Sequence, residues 1–290
     1  MQHNPSLLSD LLFTNRIFYC IIDLILLKGV ITMDKNNKRI VVKVGTSTLT
    51  YDTGKINIRR INDLARVLSD LRNSGYEVIL VSSGAIGVAM GKLGYTKKPT
   101  DTKVKQSLAA IGQCELMALY DKMFSEYHNT VAQILLTRSD IEIEKRKQHT
   151  KDTFETLLEM GIIPVVNEND TVSVEEIEIG DNDSLSAIVA TVVNADLLVL
   201  FSDIDGLYDS DPRKNSNATL ISRVEDISKI EDSAGDAVTN VGTGGMVTKI
   251  EAAKIANNAG ISMIIANGNN INSLYDIMEG KKVGTLFKAY

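Results

Sequence analysis

A chain of 290 residues, 44% apolar and 23% charged, can bury a substantial core as one large domain or two ordinary ones. A formal net charge of -6 leaves no basic stripe for nucleic acid, so any anion site must be local, built from backbone N–H groups and a few lysines. Cys20 and Cys114, with the scattered His3, His128 and His149, make neither a disulfide framework nor zinc spacing, and fit a reduced, cytoplasmic setting.

Residues 1–32 read differently from the rest. The run 17–27 is nearly all apolar but is broken by Asp23 and flanked by Arg16 and Lys28. It is too short to span a bilayer and lacks a small-residue cleavage site, so no membrane partner is expected. The segment is read as an N-terminal extension outside the fold, with Met33 opening a domain over 33–290.

From there apolar runs of strand length alternate with helical patterns. The run RIVVKV at 39–44 predicts a buried strand. Ile58, Ile61, Leu64, Ala65, Leu68 and Leu71 recur at helical spacing, and Gly75 stops that helix. A second strand is expected over 77–81, a long helix over 104–124, a strand over 130–136, a helix over 147–160 and a strand over 162–166. A helix over 184–193 is capped by Asp183 or Ser184. A strand over 196–201, a helix over 248–258 and a strand over 262–266 complete the series. Repeated βα units with strands apolar on both faces predict an α/β fold, a three-layer α/β/α sandwich around a mostly parallel central sheet.

Ligands of such sheets bind beyond the carboxyl ends of the strands. At the first corner Lys43 sits inside a buried strand run, which is costly unless its ammonium finds an anion, and Gly45 lets backbone approach closely. The alternative is an edge lysine that reaches water. At the second, SSGAIG at 82–87 exposes backbone N–H groups, or is simply a tight βα turn. At the third, NEND at 167–170 and GDND at 180–183 hold more amides and carboxylates than turns or caps require. Calcium is excluded there, because Ser186 and Val192 stand where an EF-hand loop needs Gly and Glu. At the fourth, GTGGMVTK at 242–249 leads into a helix, where a nest of N–H groups and Lys249 could hold phosphate. A flexible loop with a surface lysine is the plainer reading.

No GxxxxGK[ST] string, GxGxxG after the first strand, or GxSxG is present, and no Cys–His pair is in evidence. Two lysines, a glycine cradle and an amide/acid pocket together point to phosphoryl transfer, which needs positioning and charge neutralisation more than covalent work.

In order, VVKVGTS, VSSGAI, LLTRSD, PVVNENDTV, GDNDSLSA, DIDGLYDSDPR, GTGGMVTK and VGTLF resemble the amino acid kinase family, and within it the glutamate 5-kinases, from about residue 39 to 287. The resemblance implies ATP-dependent phosphorylation of the glutamate side-chain carboxylate, the first step of proline biosynthesis, with Mg²⁺ arriving on ATP and no dedicated metal site. It implies that Lys43 and Lys249 bracket the transferring phosphoryl and that Asp181 and Asp183 hold the lysines. Ser83, Asn167, Asp170 and Asn182 would bind glutamate, and Gly45 and Gly84 would offer N–H groups to phosphates. Ser202 and Asp203, with Thr243, Gly244, Gly245, Met246, Val247, Thr248 and Lys249, would bind the nucleotide. The part from about 196 to 290 would thus be nucleotide-binding and the part before it substrate-binding. The resemblance further implies a homo-oligomer, tetramer or dimer, feedback inhibition by proline, and a flexible loop over 137–148 near the substrate entrance. Many glutamate 5-kinases carry a C-terminal PUA domain, and the chain reads as a form lacking it. Same-family kinases acting on aspartate, acetylglutamate, carbamate or UMP, and a non-catalytic ligand-binding homologue, are the alternatives.

Overall fold

A computed structural model of the chain describes residues 38–51, 53–172, 182–228 and 245–289. The extension over 1–32, Asp181, Thr243 and Gly244 lie outside the described residues. The first half runs β1 (Lys38–Val44), α1 (Thr46–Leu49), α2 (Ile58–Asn73), β2 (Tyr76–Ser82), α3 (Ala85–Leu93), α4 (Thr102–Ser125), β3 (Val131–Leu136), α5 (Arg138–Glu142), α6 (Glu144–Glu159) and β4 (Ile163–Glu168). The second runs α7 (Asn182–Val192), β5 (Leu197–Ser202), β6 (Arg223–Val224), α8 (Gly245–Asn258), β7 (Ser262–Asn267), α9 (Ser273–Met278) and β8 (Thr285–Phe287).

The strands form one eight-stranded sheet in the order β3-β4-β2-β1-β5-β7-β8-β6, parallel except where β7 meets β8. The expected mostly parallel α/β architecture is therefore the observed one. β1 is the centre of the topology: β2 lies on one side of it, and the chain crosses to β5 on the other. That is the switch point at which open α/β sheets bind ligands.

Strand alternation assigns the faces. Ile40, Val42 and Val44 pack with Leu64 and Leu68 of α2, Leu116, Tyr120 and Phe124 of α4 and Leu274 of α9. Val41 packs on the other face with Phe154 of α6, Leu185 and Val189 of α7 and Ile250 of α8. These residues are almost wholly buried, and each full aliphatic burial is worth roughly 1.5–3 kcal/mol relative to exposure. Lys43 has the parity of Val41, so β1 directs it to the face covered by α7 and α8.

Local signals account for the helix starts. The Asn57 side chain caps α2 by accepting from Arg60 N at 3.2 Å, and Asp101 caps α4 by accepting from Lys103 N at 2.9 Å. Two expectations need correction. Residues 137–148 are not a loop: they form α5, with a Thr137–Asp140 capping box, and the first turn of α6. α7 begins at Asn182, so Asp183 lies within its first turn instead of serving as its cap. Among the described residues no helix is long and apolar enough to cross a membrane.

Candidate active site

Lys43 is the penultimate residue of β1, between Val81 of β2 and Leu200 of β5, and only 8% of its surface is exposed. Lys249 is one turn into α8 and 9% exposed. Two buried ammoniums on separate elements demand a counter-charge, and Asp183 of α7, itself 2% exposed, supplies it. Lys43 Nζ lies 2.5 Å from Asp183 Oδ1, and Lys249 Nζ donates to Asp183 Oδ2 at 2.9 Å. Thr248 Oγ1 adds a donor to the same Oδ2 at 3.2 Å, and Lys249 also donates to the Gly245 carbonyl at 3.0 Å. Burial alone pushes the Asp183 carboxyl up, but the two lysines outweigh it and hold the group below the usual carboxylate range.

Beside this clamp are two clefts. One is lined by Thr46, Ser83, Gly84, Ala85, Ile86, Gly87, Met90, Lys98, Asn167, Glu168, Asp170 and Asn182. It opens where β2 and β4 end. Gly84 takes φ +106°, a left-handed conformation that glycine adopts without strain, and turns the chain from β2 into α3. Ser83 N donates to the Val44 carbonyl at 3.1 Å, which ties this turn to the end of β1. Asn182 Nδ2 donates both to Ser83 Oγ, at 2.6 Å, and to Asn167 Oδ1, at 3.0 Å.

The second cleft is lined by Ser202, Asp203, Ile204, Gly206, Tyr208, Asp211, Pro212, Arg213, Gly245, Met246 and Lys249. Ser202 Oγ donates to Asp203 Oδ1 at 3.1 Å, and Arg213 reaches Asp203 Oδ2 at 3.3 Å. Lys249 borders this cleft and touches Asp183, whose neighbour Asn182 borders the other. A Cβ placed on Gly45 would sit 3.6 Å from Lys43 Nζ, and one on Gly245 would sit 3.9 Å from Lys249 Nζ. Each ammonium therefore has bare glycine backbone beside it, the surroundings a phosphate group needs. Among the described residues no group of three or more His, Cys, Asp or Glu side chains could hold a metal ion.

The amino acid kinase family matches residues 38–267. The glutamate 5-kinase of Clostridium perfringens is 57% identical over 260 residues, covering 88% of this chain and 97% of that one. The chain belongs to the amino acid kinase family, among the glutamate 5-kinases. The Clostridium tetani glutamate 5-kinase is 55% identical, covering 88% of this chain and 96% of the relative, and that of Carboxydothermus hydrogenoformans is 56% identical, covering 87% and 68%. Two solved structures share the fold at 18% identity. The isopentenyl phosphate kinase of T. acidophilum has a TM-score of 0.60 over 87% of this chain and 100% of its own. UMP kinase from Ureaplasma parvum has 0.61 over 87% and 99%.

In this kinase the structure brings Lys43, Asp183 and Lys249 into direct contact and gathers Ser83, Gly84, Asn167, Asp170 and Asn182 along one cleft. Ser202, Asp203, Gly245, Met246 and Lys249 line the other, with Gly45 beside Lys43 and Thr248 on Asp183. Val247 is 43% exposed and lines neither cleft. Sequence reading missed Gln113 of α4, which is 8% exposed and accepts from Asn167 Nδ2 through Oε1 at 3.0 Å. The available signal was its place among Ala109, Gly112, Leu116, Tyr120 and Phe124, the otherwise apolar buried stripe of α4. It also missed Thr46 and Lys98 at the rim of the same cleft.

Proposed function

We infer that this kinase transfers the γ-phosphoryl of ATP to the side-chain carboxylate of L-glutamate, yielding L-glutamate 5-phosphate and ADP, as the first step of proline biosynthesis. The observation that carries the reading is the Lys43–Asp183–Lys249 clamp, set beside a glycine-flanked cleft and an amide-lined one. Phosphoryl transfer builds charge on equatorial oxygens, and preorganised ammoniums stabilise that charge in a water-poor site. Asp183 would keep both ammoniums in position before phosphate arrives. Mg²⁺ accompanying ATP would add charge neutralisation on the phosphates, held by those phosphates and water.

Ser83, Asn167, Asp170 and Asn182 would hold the acceptor, with Asp170 facing its ammonium. Ser202, Asp203 and Gly245 to Lys249 would hold the nucleotide, with Thr243 and Gly244 preceding them in the loop. Asp181 would assist Asp183. This distribution supports a division near residue 196 between an acceptor-binding part and a nucleotide-binding part. The attacking carboxylate, with an ordinary value of about 4.3, is ionised near neutral pH, so the reaction needs no general base. Homo-oligomerisation, proline feedback and a cytoplasmic location are proposed from the family relation, and sedimentation and proline titration of the activity test the first two.

The deciding experiment measures ADP release with glutamate, aspartate, acetylglutamate, carbamate and UMP as acceptors, with hydroxylamine present to trap an acyl phosphate. Glutamate is expected to give both ADP and hydroxamate. Turnover with another acceptor and none with glutamate would sink the assignment.

A further inference from the structure

Behind the acceptor cleft runs a chain of side-chain hydrogen bonds. Asn167 stands on β4 with the parity of Ile163 and Val165, the face covered by α4, and is 3% exposed. Its Nδ2 donates to Gln113 Oε1 at 3.0 Å, and its Oδ1 accepts from Glu168 N at 2.9 Å and Asn182 Nδ2 at 3.0 Å. Asn182 gives its second amide hydrogen to Ser83 Oγ at 2.6 Å. The polarity runs one way. The Glu168 N–H can only donate, so the Asn167 oxygen must face it; that directs the Asn167 NH₂ to Gln113, whose oxygen must then accept.

That polarity decides what the cleft offers a ligand. Asn182 spends both amide hydrogens within the chain, so its carbonyl oxygen is left to accept. Ser83 accepts from Asn182, so its hydroxyl proton is left to donate. An acceptor amino acid carries an ammonium that needs such an oxygen and carboxylates that need such a donor.

We propose that Gln113, which lies outside the lining of the cleft, is a positioning residue that fixes the orientation of Asn167 and, through it, the hydrogen-bonding polarity of Asn182 and Ser83 toward the acceptor. The proposal deepens the acceptor-site reading above and rests on it. The helix packing supports it. A Cβ on Gly112 would fall 1.7 Å from the Ala85 carbonyl oxygen, so α4 crosses the start of α3 backbone to backbone and brings Gln113 under Asn167. Seven residues on, and so on the same face of α4, Tyr120 Oη shares a hydrogen bond with Ser82 Oγ at 2.7 Å. One helix thus supports the ends of both β2 and β4.

Gln113→Met keeps the length of the side chain and removes the acceptor, stranding a buried N–H of Asn167. The test measures kcat and both KM values for wild type, Gln113→Met, Asn167→Ala and the double variant, with thermal melting to confirm folding. Gln113→Met is expected to raise the KM for glutamate about tenfold while leaving the KM for ATP within about twofold. In the Asn167→Ala background it should add almost nothing, because its effect passes through Asn167. An unchanged glutamate KM, equal losses for both substrates, or additive effects would overturn the proposal. If Gln113→Met does not fold, Gln113→Glu retains an acceptor oxygen and should keep the glutamate KM within about threefold; a tenfold rise would overturn it. Wild type that turns over glutamate while the variants match it defeats this inference alone. Wild type inert with every acceptor defeats the functional reading, and this inference with it. Turnover of another acceptor moves the same comparison, and the same criteria, to that acceptor.

Discussion

Burial pushes the Asp183 carboxyl up, but Lys43 and Lys249, one on each oxygen, hold it below the usual carboxylate range. Removing either side of a buried pair strands the other, which costs roughly 3–5 kcal/mol. Asp183→Ala is therefore expected to lower stability by about that amount, read by urea denaturation, besides loosening both ammoniums. If Lys249 acts as proposed, on charge that develops on the phosphoryl group, Lys249→Ala should reduce kcat by about 10²–10³-fold with little change in the glutamate KM. Unchanged kcat would remove Lys249 from the transition state. The pH dependence has a fixed sign. The folded-state pKa of Asp183 lies below its unfolded value of about 3.9, so the stabilisation is present above that value and is lost as pH falls through the folded one. Melting temperatures of wild type and Asp183→Asn should converge as pH drops below about 4, and parallel curves would contradict this.

At the scale of elements, the site depends on which face each strand residue takes and on how closely two helices cross. Gly112→Ala would drive a methyl into the Ala85 carbonyl, forcing α4 away from α3. It is expected to destabilise by about 1–3 kcal/mol and to raise the glutamate KM more than the ATP KM, read by melting and steady-state kinetics. Much of this level was legible beforehand. Lys43 stood out because a lysine among β-branched residues demands an anion, which Asp183 supplies, and Gly245 and Lys249 because glycine opens the helix there with a buried lysine one turn in. Gln113 stayed hidden, since one glutamine in a long helix reads as solvent-facing until its register with Leu116, Tyr120 and Phe124 is known. The helices over 138–159 were hard to see in their first part, because 138–148 is charged and carries no apolar stripe. Their start is set by the Thr137 capping box.

Across the whole molecule, the βα alternation announced a parallel sheet, but strand order is written in no local pattern. The crossing from β4 to β5 over the β2–β1 pair makes β1 the hub, and only the sheet shows it. The family match begins at residue 38, so removing 1–32 is expected to leave kcat and melting temperature unchanged; loss of soluble, active protein would overturn that reading. One further consequence lies in α7. Asn182, which borders the cleft of Ser83 and Asn167, and Asp183, which holds the two lysines, are consecutive residues of a single helix. Their separation is one helical step, about 1.5 Å of rise and 100° of rotation, and no movement of the surrounding elements can stretch it. If Asn182 grips the acceptor and Asp183 aligns the lysines on the donor, as proposed, the helix is a yardstick between the two. It should measure the acceptor's length: aspartate, one methylene shorter, and 2-aminoadipate, one longer, can be gripped at the same end yet present their carboxylates out of reach. Both should bind as competitive inhibitors of glutamate while giving little ADP.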